Sequence, residues 1–412
     1  MDVYFSILLH DITFYDIIYS AASVEICFHS FKAHIQSRMF GNCSKQRGFT
    51  PELLSIACDA SVAEPVRQAA VIYFKNTIVR LWESNDDSVD KSETVDFCLS
   101  DEDKALVRDR IVNAVCAAGE SLRYFCFVFI LALDYCRTQL CIAIQQIIRM
   151  DFPDKWPQFV TQLTTKLASP PDASVLSAGL LILYRLAKVY EYIMFKRNKD
   201  RDDIAEPVSK LEPFVYYHCH QLLNNQSAGS LDSIEDRDER AHTVWWKCKK
   251  WAAKILERIF DRYGSPNQVE KQYAAFANHF LSHWARPALE TMLMSTVPLF
   301  SIGFLYLNVI FIKVLYLALS FTNTAVAHSH CWKTMKPHAL DLIKTVLFRL
   351  MSYTKADEEM WDDNAEEYVR FKFVSDIFED LHNPASGAGA LLRGLAKRKD
   401  IVQPVLAFAI QV

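Results

Sequence analysis

The 412-residue chain is 51% hydrophobic and 23% charged, the composition of a folded, core-rich protein. It is too long for one compact core, so several domains or a repeat array are expected. A formal net charge of −4 excludes a generally basic nucleic-acid binder. The 10 glycines lie well below the average usage of about 7%, and neither GxGxxG nor the P-loop pattern occurs. This argues against a nucleotide-binding enzyme and for helices joined by short turns. The 11 cysteines are odd in number, scattered and without a CxxC pair, which favours reduced thiols in a cytosolic or nuclear protein.

Residues 1–49 are rich in apolar and aromatic side chains without a clear period. Met1-Asp2 opens without a basic region, and His10 and Asp11 break the apolar run, so no signal peptide is expected. Thr50-Pro51-Glu52 reads as a helix start, with Thr50 as the cap and proline in the first helical position. Glu64-Pro65-Val66 starts the next helix, whose stripe runs Val66, Ala69, Ala70, Tyr73, Thr77 and Leu81. Glu83 to Lys104 is acidic and reads as an exposed loop, with helix resuming near Leu106. Tyr124 to Tyr135 is too short to span a bilayer and reads as buried helix.

Asp151-Phe152-Pro153-Asp154-Lys155-Trp156-Pro157-Gln158-Phe159 reads as the turn of a helical hairpin. Leu140, Ile144, Ile147 and Ile148 before it, and Phe159, Val160, Leu163 and Leu167 after it, repeat at helical spacing. Pro153 stops the first helix, Pro157 suits the first turn of the second, and Trp156 plugs the junction. Helices are expected over Leu176 to Tyr192 and Pro207 to Leu223, followed by a polar loop, Asn224 to Arg240. From Trp245 the stripe Cys248, Trp251, Ala252, Ile255, Leu256, Ile259, Phe260 and Tyr263 marks a helix closed by a left-handed Gly264 and by Pro266. Further helices are expected over Gln268 to Met294, Met335 to Met351, Glu366 to Leu381 and Gly389 to Val412. Val297 to Phe321 is apolar for long enough to cross a membrane, interrupted only by Ser301, Asn308, Lys313 and Ser320.

No catalytic or metal constellation stands out, and no cofactor is implied. His218-Cys219-His220 lacks a second ligand pair, and i and i+2 side chains on a helix diverge by about 200°. Lys247, Lys249 and Lys250 beside Trp245, Trp246 and Trp251 could bind nucleic acid, but the tryptophans belong to the buried stripe. The chain therefore reads as a non-enzyme with no direct nucleic-acid partner.

Paired helices at intervals of roughly 40 residues describe an all-α solenoid of HEAT-type hairpins. With its motifs laid out, the chain resembles the importin-β superfamily, and within it the subgroup of importins seven and eight. The matching segments are Pro65 to Asn76, Asp151-Phe152-Pro153 with Trp156-Pro157, and Val244 to Ala252 continuing through Arg262 to Pro266. Trp332 to His338, Asp357 to Trp361, Asp376 to Asp380 and Lys397-Arg398-Lys399 follow in the same order. The resemblance covers most of residues 50–290 and 325–412. It implies a nuclear import receptor that binds Ran-GTP, protein cargo and phenylalanine-glycine nucleoporins, shuttling between cytoplasm and nucleus with no membrane insertion.

On this reading 1–49 is a divergent segment, 50–168 holds Ran-binding-like repeats, and 169–412 holds further repeats with an atypical apolar stretch, 295–321. The implied Ran-binding positions are Arg67, Gln68, Lys75 and Asn76, the polar positions of one helix, although each could instead brace the next repeat. Asp357, Glu358, Glu359, Asp362 and Asp363 could attract basic cargo of the histone or ribosomal-protein type, or form a solvated loop. Family members exceed twice this length, so an N-terminal fragment is expected. Tyr124 to Cys136 looks inserted and about one repeat looks omitted near Asn225 to Asp232, as in an imperfect gene model. A HEAT-repeat scaffold without Ran dependence is the alternative function, and a polytopic membrane protein a weaker third.

Overall fold

The computed structural model describes residues 46–83, 98–118, 127–168, 172–195, 244–264, 274–290, 309–373 and 383–411. The chain divides into two units, Met1–Tyr190 and Glu191–Val412. Among the described residues every regular element is a helix. The expected helix 207–223, the loop 224–240 and the His218-Cys219-His220 cluster lie outside the described residues, as do 1–45 and 291–308.

The first unit opens with α1, Phe49–Cys58, and α2, Glu64–Leu81. Thr50 is not the cap expected of it. Gly48 holds that position at φ 80, a left-handed conformation that glycine adopts without a Cβ clash. The Gly48 N–H donates to both carboxylate oxygens of Asp103, at 3.0 and 3.1 Å. Asp103 itself lies in the first turn of α3, Asp101–Ala117, where the Ser100 hydroxyl accepts from the Asp103 N–H. Residues 101–103 are thus helix and not loop: three carboxylates favour the positive end of the helix dipole, a signal hidden in what looked like a solvated charge run.

Helix α4, Phe127–Asp151, leads into the Pro153–Pro157 turn, and α5, Phe159–Ala168, follows. Pro157 stands two residues before α5, not inside its first turn. Trp156 fills the junction as expected: it is 1% exposed, with its ring 4.7 Å from Phe159, which stands 5.4 Å from Phe152. The Asp151 carbonyl accepts from the N–H groups of Lys155 and Trp156, and its buried carboxylate takes Arg108 Nη1 of α3 at 2.6 Å. Gly179 of α6, Ala173–Phe195, faces Leu163 and Leu167 of α5.

These contacts build three hairpins, α1–α2, α3–α4 and α5–α6, stacked in two layers. Helix α3 packs on both α1 and α5, and α2 packs on α4. Arg137 donates to Ser174 and Arg185 to Gln145, each at 3.0 Å, joining α4 to α6. A single hairpin cannot bury both its faces, and stacking completes the core.

The second unit repeats the plan. Helix α7 spans Val244–Tyr263. The rod α8 runs from Ala274–His279 through a π turn, Phe280–Ala285, to residues 286–290. Helix α9 spans Val309–Ala327. The rod α10 joins Ser329–Met335, a 3-10 turn at Lys336–His338, Ala339–Leu342, a π turn at Ile343–Leu347 and Phe348–Met351. Two short helices follow, α11, Lys355–Asp363, and α12, Ala365–Phe373, then α13, Pro384–Ala396, and α14, Lys399–Gln411. One layer is α7, α9 and α13; α8, α10 and α14 form the other.

Gly264 is not a left-handed cap, because its φ is not positive. Space excludes a side chain there: a Cβ would stand 2.5 Å from Phe260 Cδ2 and 2.9 Å from Phe280 Cδ1. Part of the apolar stretch resolves as α9, the centre of this core. Val314, Leu315, Ala318, Leu319 and Phe321 are buried, and Phe321 packs on Phe260 at 4.9 Å. Among the described residues no helix is long and apolar enough to cross a membrane, and the apolarity of α9 is spent between α7 and α13. The last expected helix is two, broken at Lys397–Arg398. There the Arg398 guanidinium donates to the Val326 carbonyl through Nε, at 3.1 Å, and Nη2, and lies over the Trp332 ring.

Candidate functional site

Helix α2 turns Val66, Ala70, Val71, Phe74 and Ile78 into the core against α1 and α4. Proline in its first turn fixes its start, as the sequence predicts. The four polar positions expected to meet a partner divide into two kinds. Arg67 is 6% exposed, and its Nε donates to the Ala57 carbonyl at 3.2 Å, so it braces the end of α1. Its charge also opposes the effect of burial, which pushes the Cys58 thiol up to about 11. Gln68 donates to Glu64 one turn back, at 3.2 Å. Lys75 and Asn76 are half-buried, and their side chains make no hydrogen bond or ion pair among the described residues. Val79, 49% exposed, and Arg80 continue the surface beside them.

The acidic positions fall on α11, where a loop is the plain reading of the sequence. Thr354 and Asp357 form a capping box. The Thr354 N–H and hydroxyl donate to Asp357 Oδ2 at 2.9 and 2.8 Å, and the Asp357 N–H donates back to Thr354 Oγ1 at 3.3 Å. Asp357 is therefore buried and committed to starting the helix. The signal was present in the sequence as Thr-x-x-Asp. Glu358, Glu359, Asp362 and Asp363 are exposed, joined by Glu366 and Glu367 at the start of α12.

Sequence reasoning missed the aromatic residues among these carboxylates. The Tyr368 ring of α12 stands 5.4 Å from Trp361 and 6.1 Å from Tyr353, edge-on to both. Elsewhere in this unit the Trp251 ring of α7 carries Lys250 Nζ at 4.4 Å and Lys254 Nζ at 5.7 Å. On the same helix, Glu257 accepts from the Ser320 hydroxyl of α9 at 3.0 Å, and burial raises its carboxyl above the usual range.

The family model for the importin-beta N-terminal domain matches residues 42–117, which hold α1 to α3, and that for exportin 1-like protein matches 134–211. Human importin-8 is 32% identical over 88% of this chain, and importin-8 of Danio rerio 30% over 88%. The importin beta-like SAD2 homolog of Arabidopsis thaliana is 25% identical over 84%. The chain spans 37% of human importin-8, 38% of the Danio rerio protein and 35% of the Arabidopsis one. The exportin Cse1 in its cargo-free, cytoplasmic state shares the fold, with a TM-score of 0.56, 15% identity, and coverage of 95% of this chain and 43% of that one. Both units are stacks of helical hairpins of the HEAT type, and the two family models and the importin relatives agree: the chain belongs to the importin-β superfamily.

Proposed function

We propose that the chain is a nuclear transport receptor that binds Ran-GTP through the surface of α2 and carries protein cargo between cytoplasm and nucleus. One observation carries the reading: the importin-beta N-terminal match, 42–117, contains α2, whose half-buried Lys75 and Asn76 have no hydrogen-bond or ion-pair partner among the described residues and lie beside the exposed Val79 and Arg80. Lys75 supplies a compact charge for a carboxylate of Ran, and Asn76 a donor and an acceptor. Arg67 and Gln68 act behind them, holding α1 and the first turn of α2 in place.

Cargo with basic segments approaches the exposed Glu358, Glu359, Asp362 and Asp363, while Asp357 supports their helix. Phenylalanine-glycine nucleoporins enter apolar grooves between neighbouring hairpins. Ran-GTP and cargo then couple reciprocally, so whatever one ligand does to the other's affinity is returned equally. No step of this scheme requires catalysis by the chain itself.

The test is Lys75→Glu, assayed for binding of GTP-loaded Ran and for melting temperature. Binding falls at least ten-fold while the melting temperature holds within about 2 °C, as expected of a surface substitution. A folded variant that binds Ran-GTP as the parent does would refute the assignment and favour a scaffold without Ran dependence.

A further inference from the structure

We propose that the aromatic face of the α11–α12 hairpin is a docking site for an arginine-rich segment of a partner protein, a reading that deepens the cargo assignment above. Three observations carry it. Tyr353, just before the α11 cap, is 58% exposed, Trp361 of α11 46% and Val369 of α12 41%, so apolar and aromatic surface stands open along this hairpin. Tyr368 meets both rings in T-shaped contacts, 5.4 Å from Trp361 and 6.1 Å from Tyr353, which hold them in place and leave the remaining ring faces to solvent.

The second observation is that three other aromatic rings of this unit take a cation. Trp251 carries Lys250, Trp332 carries Arg398 at 5.2 Å, and Phe408 carries Lys344 at 5.5 Å. Each takes a cation from its own chain. Tyr353, Trp361 and Tyr368 have none over their faces among the described residues.

The third is charge. From Tyr353 to Arg370 the chain carries seven carboxylates against two cations, Lys355 and Arg370. Six of the seven, all but Asp357, are exposed. Carboxylates around an open π face exclude nucleic acid and attract a cation that can stack and pair at once. Guanidinium does both: its plane lies flat on a ring while its edge takes a carboxylate in a two-pronged hydrogen bond. An ammonium is a compact, strongly hydrated point charge and gains less from the same surface. The occupant is therefore arginine-rich rather than merely basic.

The experiment uses the whole chain and two fluorescein-labelled 14-residue peptides, one alternating Arg and Ser and one alternating Lys and Ser. Binding is read by anisotropy at physiological ionic strength. The arginine peptide binds at least five-fold tighter than the lysine peptide. Trp361→Leu, which keeps apolar bulk and removes the ring, weakens the arginine peptide at least five-fold, and Trp361→Phe restores most of the loss. Glu358→Gln with Asp362→Asn weakens both peptides and flattens the salt dependence. Because all these positions are exposed, helix content and melting temperature stay at the parent's values. Should Trp361→Leu nonetheless melt early, Tyr353→Leu, whose ring is the more exposed, takes its place with the same expected loss. Ran-GTP binding, measured on the same preparations, stays unchanged in every variant. Loss of Ran binding by the parent would thus sink the receptor reading and leave this site standing.

Equal affinity for the two peptides, or a Trp361→Leu variant that binds arginine as the parent does, overturns the proposal in favour of unspecific charge attraction. A chain that dimerises through Trp361 in sedimentation velocity and ignores both peptides overturns it in favour of self-association.

Discussion

Arg67→Met separates bracing from partner binding on α2. Methionine keeps the unbranched stem, so the packing between α1 and α2 is largely retained. What is lost is the charged hydrogen bond to the Ala57 carbonyl, in a place where Arg67 is 6% exposed. A hydrogen bond from a charged donor contributes about 1.5–3 kcal/mol. The Ala57 carbonyl belongs to the last turn of α1, where helical partners are missing, so leaving it unmet keeps the loss toward the upper part of that range. A loss of about 2–3 kcal/mol is expected. The assay is hydrogen-exchange mass spectrometry of peptides covering α1 and α2, which localises the loss within the first unit. Exchange by unfolding should quicken by roughly 30- to 150-fold in those peptides. Ran-GTP affinity should fall only as far as the folded fraction falls. Unchanged exchange together with weakened Ran binding would refute the reasoning and return Arg67 to the partner surface.

Arg108→Ala removes the partner of a carboxylate that is 2% exposed and ties α3 to the end of α4, so it should cost about 3 kcal/mol and quicken exchange in both helices. Replacing the pair together, Arg108→Met with Asp151→Leu, should recover most of that loss, because no buried charge is then left alone. Glu257 has a carboxyl raised by burial, so its folded state favours the proton. Its stabilising contribution is present below the ordinary carboxylate range and lost as pH rises through the raised value. Glu257→Gln should therefore raise the melting temperature at pH 7 and lose that advantage near pH 4, read by scanning calorimetry at both.

Much of the architecture was legible where sequence periodicity and tertiary packing ask for the same residues. The turn from Asp151 to Phe159 combines two prolines with a tryptophan between helical stripes, and it closes a hairpin as that pattern requires. Helix α7 was likewise plain in its aliphatic stripe, but Trp251, read as part of that buried stripe, is half-buried and carries Lys250 and Lys254, read as the opposite face, over its ring. The misreadings cluster where polar residues have two uses. Acidic runs at 101–103 and 357–363 looked like solvated loops because charge is the commonest mark of one, but the same carboxylates stabilise helix starts. Thr50 looked like a cap by type, yet a neighbouring glycine at φ 80 takes the place with help from Asp103, 55 residues away. The break at Arg398 carries no proline or glycine; the contact with Val326 and Trp332 that accompanies it is tertiary. At the candidate sites, burial decided what residue type could not. Arg67 and Asp357 face inward, whereas Lys75, Asn76 and the rest of the acidic face stay accessible.

The most direct test of the receptor account is the affinity of the purified chain for Ran loaded with GTP, compared with Ran loaded with GDP. The account predicts at least a hundred-fold preference for the GTP form, and a Ran-GTP affinity at least ten-fold weaker in Lys75→Glu. Equal affinity for the two forms, or no binding of either by a chain whose helices α1 to α4 are folded, would contradict it.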